Sequence, residues 1–268
     1  MISKARQCSS LAAQGKRQAA HPQTTSYQHL PKTPNHIPSP QDPPSKLRKP
    51  RGLGAAIAHK FASEGCNLAI NYSSNAQAAS DLAKELQETY NTRTLTLRAD
   101  CGDLAACAQL VHDTHAHFGS LDVLIANAGW TKFTTFSDLD AMTEAEWDKC
   151  FAVNVKGPHA LLRAAVPFWQ GEGDGGVMVV TSSIAGNSLG GSSMAYSVTK
   201  AAQLHLVKCL AATQGCGGRV RVNAVLPGLL LTEWGREYGE ERIGEINSKA
   251  VLKREVSFLL SFVCSRGR

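Results

Sequence analysis

From residue 52 to residue 226 the chain alternates between two apolar periods, and that alternation limits it to very few folds. Residues 52–64, 75–90, 103–118, about 143–169 and 192–214 carry apolar residues at helical spacing. Between them lie runs suited to short buried strands: 67–72 (NLAINY), 93–99 (RTLTLRA), 121–127 (LDVLIAN), 176–183 (GVMVVTSS) and 219–226 (RVRVNAVL). Strands separated by helices of this length must be joined by right-handed crossovers. That predicts an α/β fold in which a doubly wound parallel sheet is covered on both faces. A chain of 268 residues, 43% of them hydrophobic, suits one such domain.

The first 50 residues do not share the pattern. Eight of the eleven prolines lie there, and residues 1–51 hold nine Lys or Arg against the single acid Asp42. The formal charge of +6 therefore divides into +8 in this leader and −2 in the remainder. We expect residues 1–48 to be a disordered basic leader, 49–256 the α/β domain and 257–268 an atypical tail. Without interleaved aromatics the basic leader does not suggest nucleic acid. No run approaches the length of a membrane span, and the eight cysteines show no paired spacing, so a reduced, cytoplasmic protein without a metal or membrane site is expected. His112, His115 and His117 read as a solvated helix face, since a helix brings only the first two to a shared side.

In doubly wound sheets ligands sit beyond the carboxyl ends of the strands. Those positions read Asn71-Tyr72-Ser73, Asp100, Asn127-Ala128-Gly129, Ser182-Ser183 and Pro227-Gly228. The most informative stretch is TSSIAGNSLGGSSMAYSVTK, residues 181–200. Tyr196 and Lys200 stand four apart at the start of a helix, so their side chains can share one face. Ser183 ends the preceding strand beside them. Bringing a phenol from its usual value near 10 to about 7 takes about 4 kcal/mol of phenolate stabilisation. A neighbouring ammonium in a half-desolvated crevice supplies energy of that order, and a serine hydroxyl can polarise a substrate carbonyl.

These motifs together resemble the short-chain dehydrogenase/reductase family, in particular its 3-oxoacyl-carrier-protein reductase-like members. The likeness spans residues 51 to about 256. It is carried by R-G-L-G at 51–54, Asp100, N-A-G at 127–129, N-V-K-G at 154–157, Ser183, Y-x-x-x-K at 196–200 and P-G-x-x-x-T at 227–232. The resemblance implies a Rossmann-like sheet and a hydride transfer between a nicotinamide cofactor and a small carbonyl or secondary alcohol. Tyr196 would be the general acid or base, Lys200 would lower its pKa and hold the ribose, Ser183 would position the substrate oxygen, and Asn154 would anchor a water relay. The implied cofactor cradle comprises Arg51, Gly52, Leu53, Gly54, Tyr72, Ser73, Asp100, Asn127, Ala128 and Gly129. It is completed by Tyr196, Lys200, Pro227, Gly228, Leu230 and Thr232. Trp130, Leu189 and Trp234 would line the substrate pocket, and a homo-oligomer is implied. With Asn71, Tyr72 and Ser73 where a ribose-binding carboxylate would stand, and Arg51 beside the glycine turn, NADP(H) is expected over NAD(H).

Two departures stand beside the likeness. The glycine turn should leave a buried strand, yet it is preceded by IPSPQDPPSKLRKP, with Leu47 and Arg48 where Thr and Gly belong. The sequence thus predicts a sheet whose first, central strand is missing, leaving its neighbours unpaired. The C-terminal SFLLSFVCSRGR likewise lacks the expected last strand. An alternative therefore stays open: a truncated, catalytically silent relative, or a mis-joined gene model, that binds no cofactor.

Overall fold

The computed structural model describes residues 2–4, 52–171, 175–251, 253 and 256. Six strands form one sheet in the order β3-β2-β1-β4-β5-β6: β1 Ile2–Lys4, β2 Cys66–Tyr72, β3 Thr94–Arg98, β4 Val123–Ala126, β5 Gly176–Thr181 and β6 Val220–Val225. β2 and β3 run parallel, as do β4, β5 and β6. The parallel strands fall where the apolar runs predicted them, with ends shifted by at most two residues.

The expected gap at the centre of the sheet is filled in part. Residues Ile2–Lys4 lie between β2 and β4 as an antiparallel strand, with Ile2 opposite Leu68 on one side and Val123 on the other. The backbone edges of Cys66 to Leu68 in β2 and of Val123 in β4 thereby gain partners from the far end of the chain. The start of the segment expected to be disordered is therefore strand. Its remainder lies outside the described residues, as does the tail 257–268 with its expected loss of a last strand.

Helices α1 Leu53–Ser63, α2 Ala76–Tyr90, α3 Leu104–Phe118, α4 Glu144–Phe151, α5 Gly157–Gln170 and α6 Met194–Gln214 are the crossovers. Four of these starts have a local cause in a capping side chain. Asn75, Asp103 and Ser193 accept backbone N–H groups at the starts of α2, α3 and α6, and Thr143 with Glu146 closes a capping box on α4. Alternate residues of β4 feed opposite faces of the sheet. Leu124 and Ala126 join the core made by α3, α5 and α6, whereas Val123 and Ile125 pack toward α1 and α2. This period of two covers both faces of the sheet.

The single long helix predicted at 143–169 is interrupted. Residues Ala152–Lys156 form a π-helical turn in which the Gly157 N–H reaches Ala152 O. Just beyond the turn the chain grazes the end of β3, and a Cβ on Gly157 would lie 2.4 Å from the Cys101 carbonyl oxygen. Two further helices, α7 Glu233–Arg236 and α8 Gly239–Lys249, follow β6.

Candidate active site

A cleft of about 880 Å³ opens at the carboxyl ends of the strands. One end is built by the start of α1. Gly52, at φ +94°, turns the chain into a helix that no side chain among the described residues caps and whose first turn holds no acid. Its free N–H groups and positive dipole end face the cleft, the arrangement that receives phosphate. Gly54 lies against Asn127, to whose Nδ2 an added Cβ would approach within 3.0 Å. The glycine turn, the Asn127–Gly129 loop and Pro227 to Thr232 thus form one continuous wall. A dinucleotide fits this set of donors and glycines.

Tyr196, Lys200 and Ser183 meet at the other end. Ser193 Oγ accepts the Tyr196 N–H at 3.2 Å and so starts α6 where Tyr196 faces the cleft. The SSIAG segment wraps the first turns of the same helix. Ser182 Oγ donates to Lys200 O, Ser197 Oγ donates to Ala185 O, and a Cβ on Gly186 would lie 2.6 Å from the Lys200 carbonyl carbon. Ser183 Oγ accepts the Ala185 N–H at 3.1 Å, which leaves its own proton to donate into the cleft.

Lys200 is 3% exposed, and its ammonium donates to Thr181 O at 2.8 Å while standing 5.4 Å from the Tyr196 ring. Burial lowers its pKa to about 8, with the neighbouring Cys150 working in the other direction. Burial also raises Tyr196 to about 12; a hydrogen bond with Ser183 opposes this, and Tyr238 and Cys150 add to it. The expectation that Lys200 lowers the phenol is therefore not met in this conformation. Desolvation dominates, and the ammonium is directed at a backbone carbonyl instead of the phenol oxygen.

Asn154 is wholly buried in the π turn. Its side chain accepts the Trp130 N–H at 2.8 Å and donates to Trp130 O and Thr199 Oγ1, each at 3.0 Å. Its backbone carbonyl accepts from the Gln203 side chain. Asn154 thus clamps the loop after β4 to the catalytic helix. Sequence reasoning marked the residue but missed its partners Thr199 and Gln203, which the Y-x-x-x-K spacing alone does not single out. It also missed Tyr238 and Arg242, which line the cleft from the segment after β6.

Tyr72, Ser73 and Asp100 are not among the residues lining this cleft. They lie at or just beyond the carboxyl ends of β2 and β3. Asp100 accepts the Gly102 N–H at 2.8 Å, a turn-capping contact, and Asn71 ties the two strand ends together through Leu97 O and Ala99 O. Arg51 lies outside the described residues. Leu189 is fully exposed at the mouth, Trp234 reaches the catalytic end, and Trp130 packs partly against the core. Among the described residues no cluster suited to a metal ion occurs, and no helix is long and apolar enough to cross a membrane. His115 stacks on Phe168 at 4.0 Å and so contributes to packing between α3 and α5, while His112 and His117 are exposed.

Comparison with known proteins agrees with this construction. A family profile described as enoyl-(acyl carrier protein) reductase matches residues 48–261. The chain is 36% identical over 183 residues to a protein of Streptomyces violaceoruber named as ketoacyl reductase 2 of granaticin polyketide synthase, covering 68% of this chain and 70% of that one. It is 34% identical over 185 residues to an NADP-dependent mannitol dehydrogenase of Alternaria alternata, covering 68% and 67%. A short-chain dehydrogenase of Burkholderia cenocepacia J2315, solved in complex with NADP, superposes with a TM-score of 0.70 at 28% identity, covering 79% of this chain and 83% of that one. With a glycine-led helix, a Tyr-Lys pair and an upstream serine around one cleft, and these relatives in sequence and structure, the chain belongs to the short-chain dehydrogenase/reductase family of oxidoreductases.

Proposed function

We propose that this protein is an NADP(H)-dependent oxidoreductase that interconverts a carbonyl and a secondary alcohol on a small molecule. The observation that carries the reading is the convergence of Tyr196, Ser183 and Lys200 on one end of a cleft whose other end is an uncapped helix start. Bound NADP(H) supplies or receives the hydride. In reduction, the Ser183 hydroxyl donates a hydrogen bond to the carbonyl oxygen, and the Tyr196 phenol transfers its proton to that oxygen as negative charge develops. In oxidation, Tyr196 takes the proton back. Lys200 places positive charge 5.4 Å from the Tyr196 ring, which favours the phenolate, although in this conformation desolvation outweighs it. Gly52, Leu53 and Gly54 hold phosphate with backbone N–H groups, and Asn127 to Gly129 form the floor of the cleft.

The preference for NADP(H) rests on Asn71, Tyr72 and Ser73, which replace a carboxylate at the end of β2, and on the NADP named for two of the relatives. NADPH emission followed during titration, alongside NADH, tests the cofactor. Turnover of a panel of ketones by the wild type and Tyr196→Phe tests the acid. We expect NADPH to bind more tightly than NADH, and Tyr196→Phe to lose about 10²–10⁴-fold in kcat while retaining NADPH affinity. No binding of either cofactor by the folded protein would establish the silent alternative.

A further inference from the structure

The catalytic end of the cleft is covered by a residue from outside the catalytic motifs. α7 is held tightly against its own approach loop: Thr232 Oγ1 accepts the Gly235 N–H at 3.0 Å, and a Cβ on Gly235 would lie only 1.9 Å from Leu230 O. From this turn the Trp234 indole reaches back across the cleft. Its ring centroid is 5.8 Å from that of Tyr196, with the planes inclined at 56°. Its Cη2 comes within 3.6 Å of the place a Cβ on Gly129 would take, a point only 3.8 Å from Lys200 Nζ and 3.5 Å from Asn154 Oδ1. The indole therefore stands between the end of β4 and the catalytic helix, with 36% of the residue exposed.

That position matters if the proposed function holds. Hydride transfer to a carbonyl whose oxygen is bonded to Tyr196 and Ser183 requires the hydride donor to reach van der Waals contact with the carbonyl carbon. The donor must then lie against the cleft face of Tyr196, over Gly129. We propose that Trp234 is a plug of the nicotinamide end of the cleft, and that α7 must carry its indole outward before the cofactor can seat.

The contact is suited to opening. α7 is four residues long, and the hydrogen bonds that shape it are within residues 230–237. It can therefore move as a unit without breaking the sheet, and Trp234 is already 36% exposed. Because the cofactor binds the open form, its apparent affinity is reduced by the fraction of molecules that are open.

The test compares NADPH binding by the wild type, Trp234→Ala and Trp234→Phe, read by NADPH emission at equilibrium and by stopped flow, with thermal melts showing each variant folded. Removing the plug should tighten binding about tenfold in Trp234→Ala, and the phenylalanine variant should fall between. The observed binding rate should level off with rising NADPH in the wild type, where opening limits it, and rise linearly in Trp234→Ala. Equal affinity and equal rate behaviour would overturn the plug, as would weaker binding by Trp234→Ala, which would mark the indole as a contact of the bound cofactor. Binding by none of the three folded proteins would overturn the cofactor reading and the plug with it. Should Trp234→Ala fail to fold, Trp234→Phe decides by the same signs.

Discussion

Replacing Lys200 by methionine removes a charge whose burial is the main electrostatic feature of the site, and the consequence can be worked out with its sign. Burial places the folded-state pKa at about 8, against an ordinary value of 10.5. Below pH 8 both states of the chain keep the proton, and the folded state carries the full desolvation penalty. Between pH 8 and 10.5 the folded protein releases the proton before the unfolded chain does, so stability rises with pH. Integrated from pH 7 to pH 10, a shift of this size contributes about 2–3 kcal/mol. Tyr196, raised to about 12 from 10, acts with the opposite sign but only above pH 10, where the folded state retains a proton the unfolded chain has lost. Urea melts of the wild type and Lys200→Met at pH 7, 9 and 10 isolate the effect. The stability of the wild type relative to the variant should increase by about 2–3 kcal/mol across that range. A difference that stays flat would refute the reasoning: it would mean that the ammonium is solvated and titrates near its ordinary value. The same shift leaves Lys200 mostly charged at pH 7, as the proposed role beside Tyr196 requires.

Asn154→Ala should cost about 2–4 kcal/mol in urea melts, because it strips the Trp130 backbone N–H of its hydrogen bond and takes one bond each from the Trp130 carbonyl and the buried Thr199 hydroxyl, which keep Cys150 Sγ and Tyr196 O. In Gly157→Ala the new methyl would meet the Cys101 carbonyl at 2.4 Å. Backbone must shift to relieve it, so a loss of about 1–3 kcal/mol is expected, read as a lower Tm. Deleting Ile2–Lys4 removes the partner of Cys66 to Leu68 and of Val123. Hydrogen exchange in β2 and β4 should then accelerate while β5 and β6 keep their protection; unchanged exchange in β2 would show that β1 does not hold that place.

Much of the fold was legible because the helix and strand periods are clean between residues 52 and 226, and α2, α3, α4 and α6 each begin at an Asn, Asp, Thr or Ser that caps them. Tyr196, Lys200 and Ser183 were legible for a related reason, since their spacing alone fixes which helix face and which strand end they share. The rest depends on contacts distant in sequence. Ile2-Ser3-Lys4 has no strand signature of its own and takes strand form by pairing with β2 and β4. The π turn at Ala152–Lys156 leaves the apolar period of the long helix nearly intact, so only its packing against Cys101 and Gln203 reveals it. α7 and α8 were not predicted: α7 is a single turn, and α8 buries no residue. The electrostatic reversal at Tyr196 was equally hidden, because a Y-x-x-x-K spacing fixes proximity but not where the ammonium points or what covers the phenol.

The most direct test of the proposed chemistry follows the hydride itself. NADPH carrying deuterium at the transferring position of its nicotinamide is supplied with each ketone of the panel, and the alcohol formed is analysed by mass spectrometry. Hydride transfer in this cleft requires one deuterium on the carbinol carbon with the wild type and a loss of product of about 10²–10⁴-fold with Tyr196→Phe. Alcohol formed without the label, or labelled alcohol formed equally well by Tyr196→Phe, would contradict it.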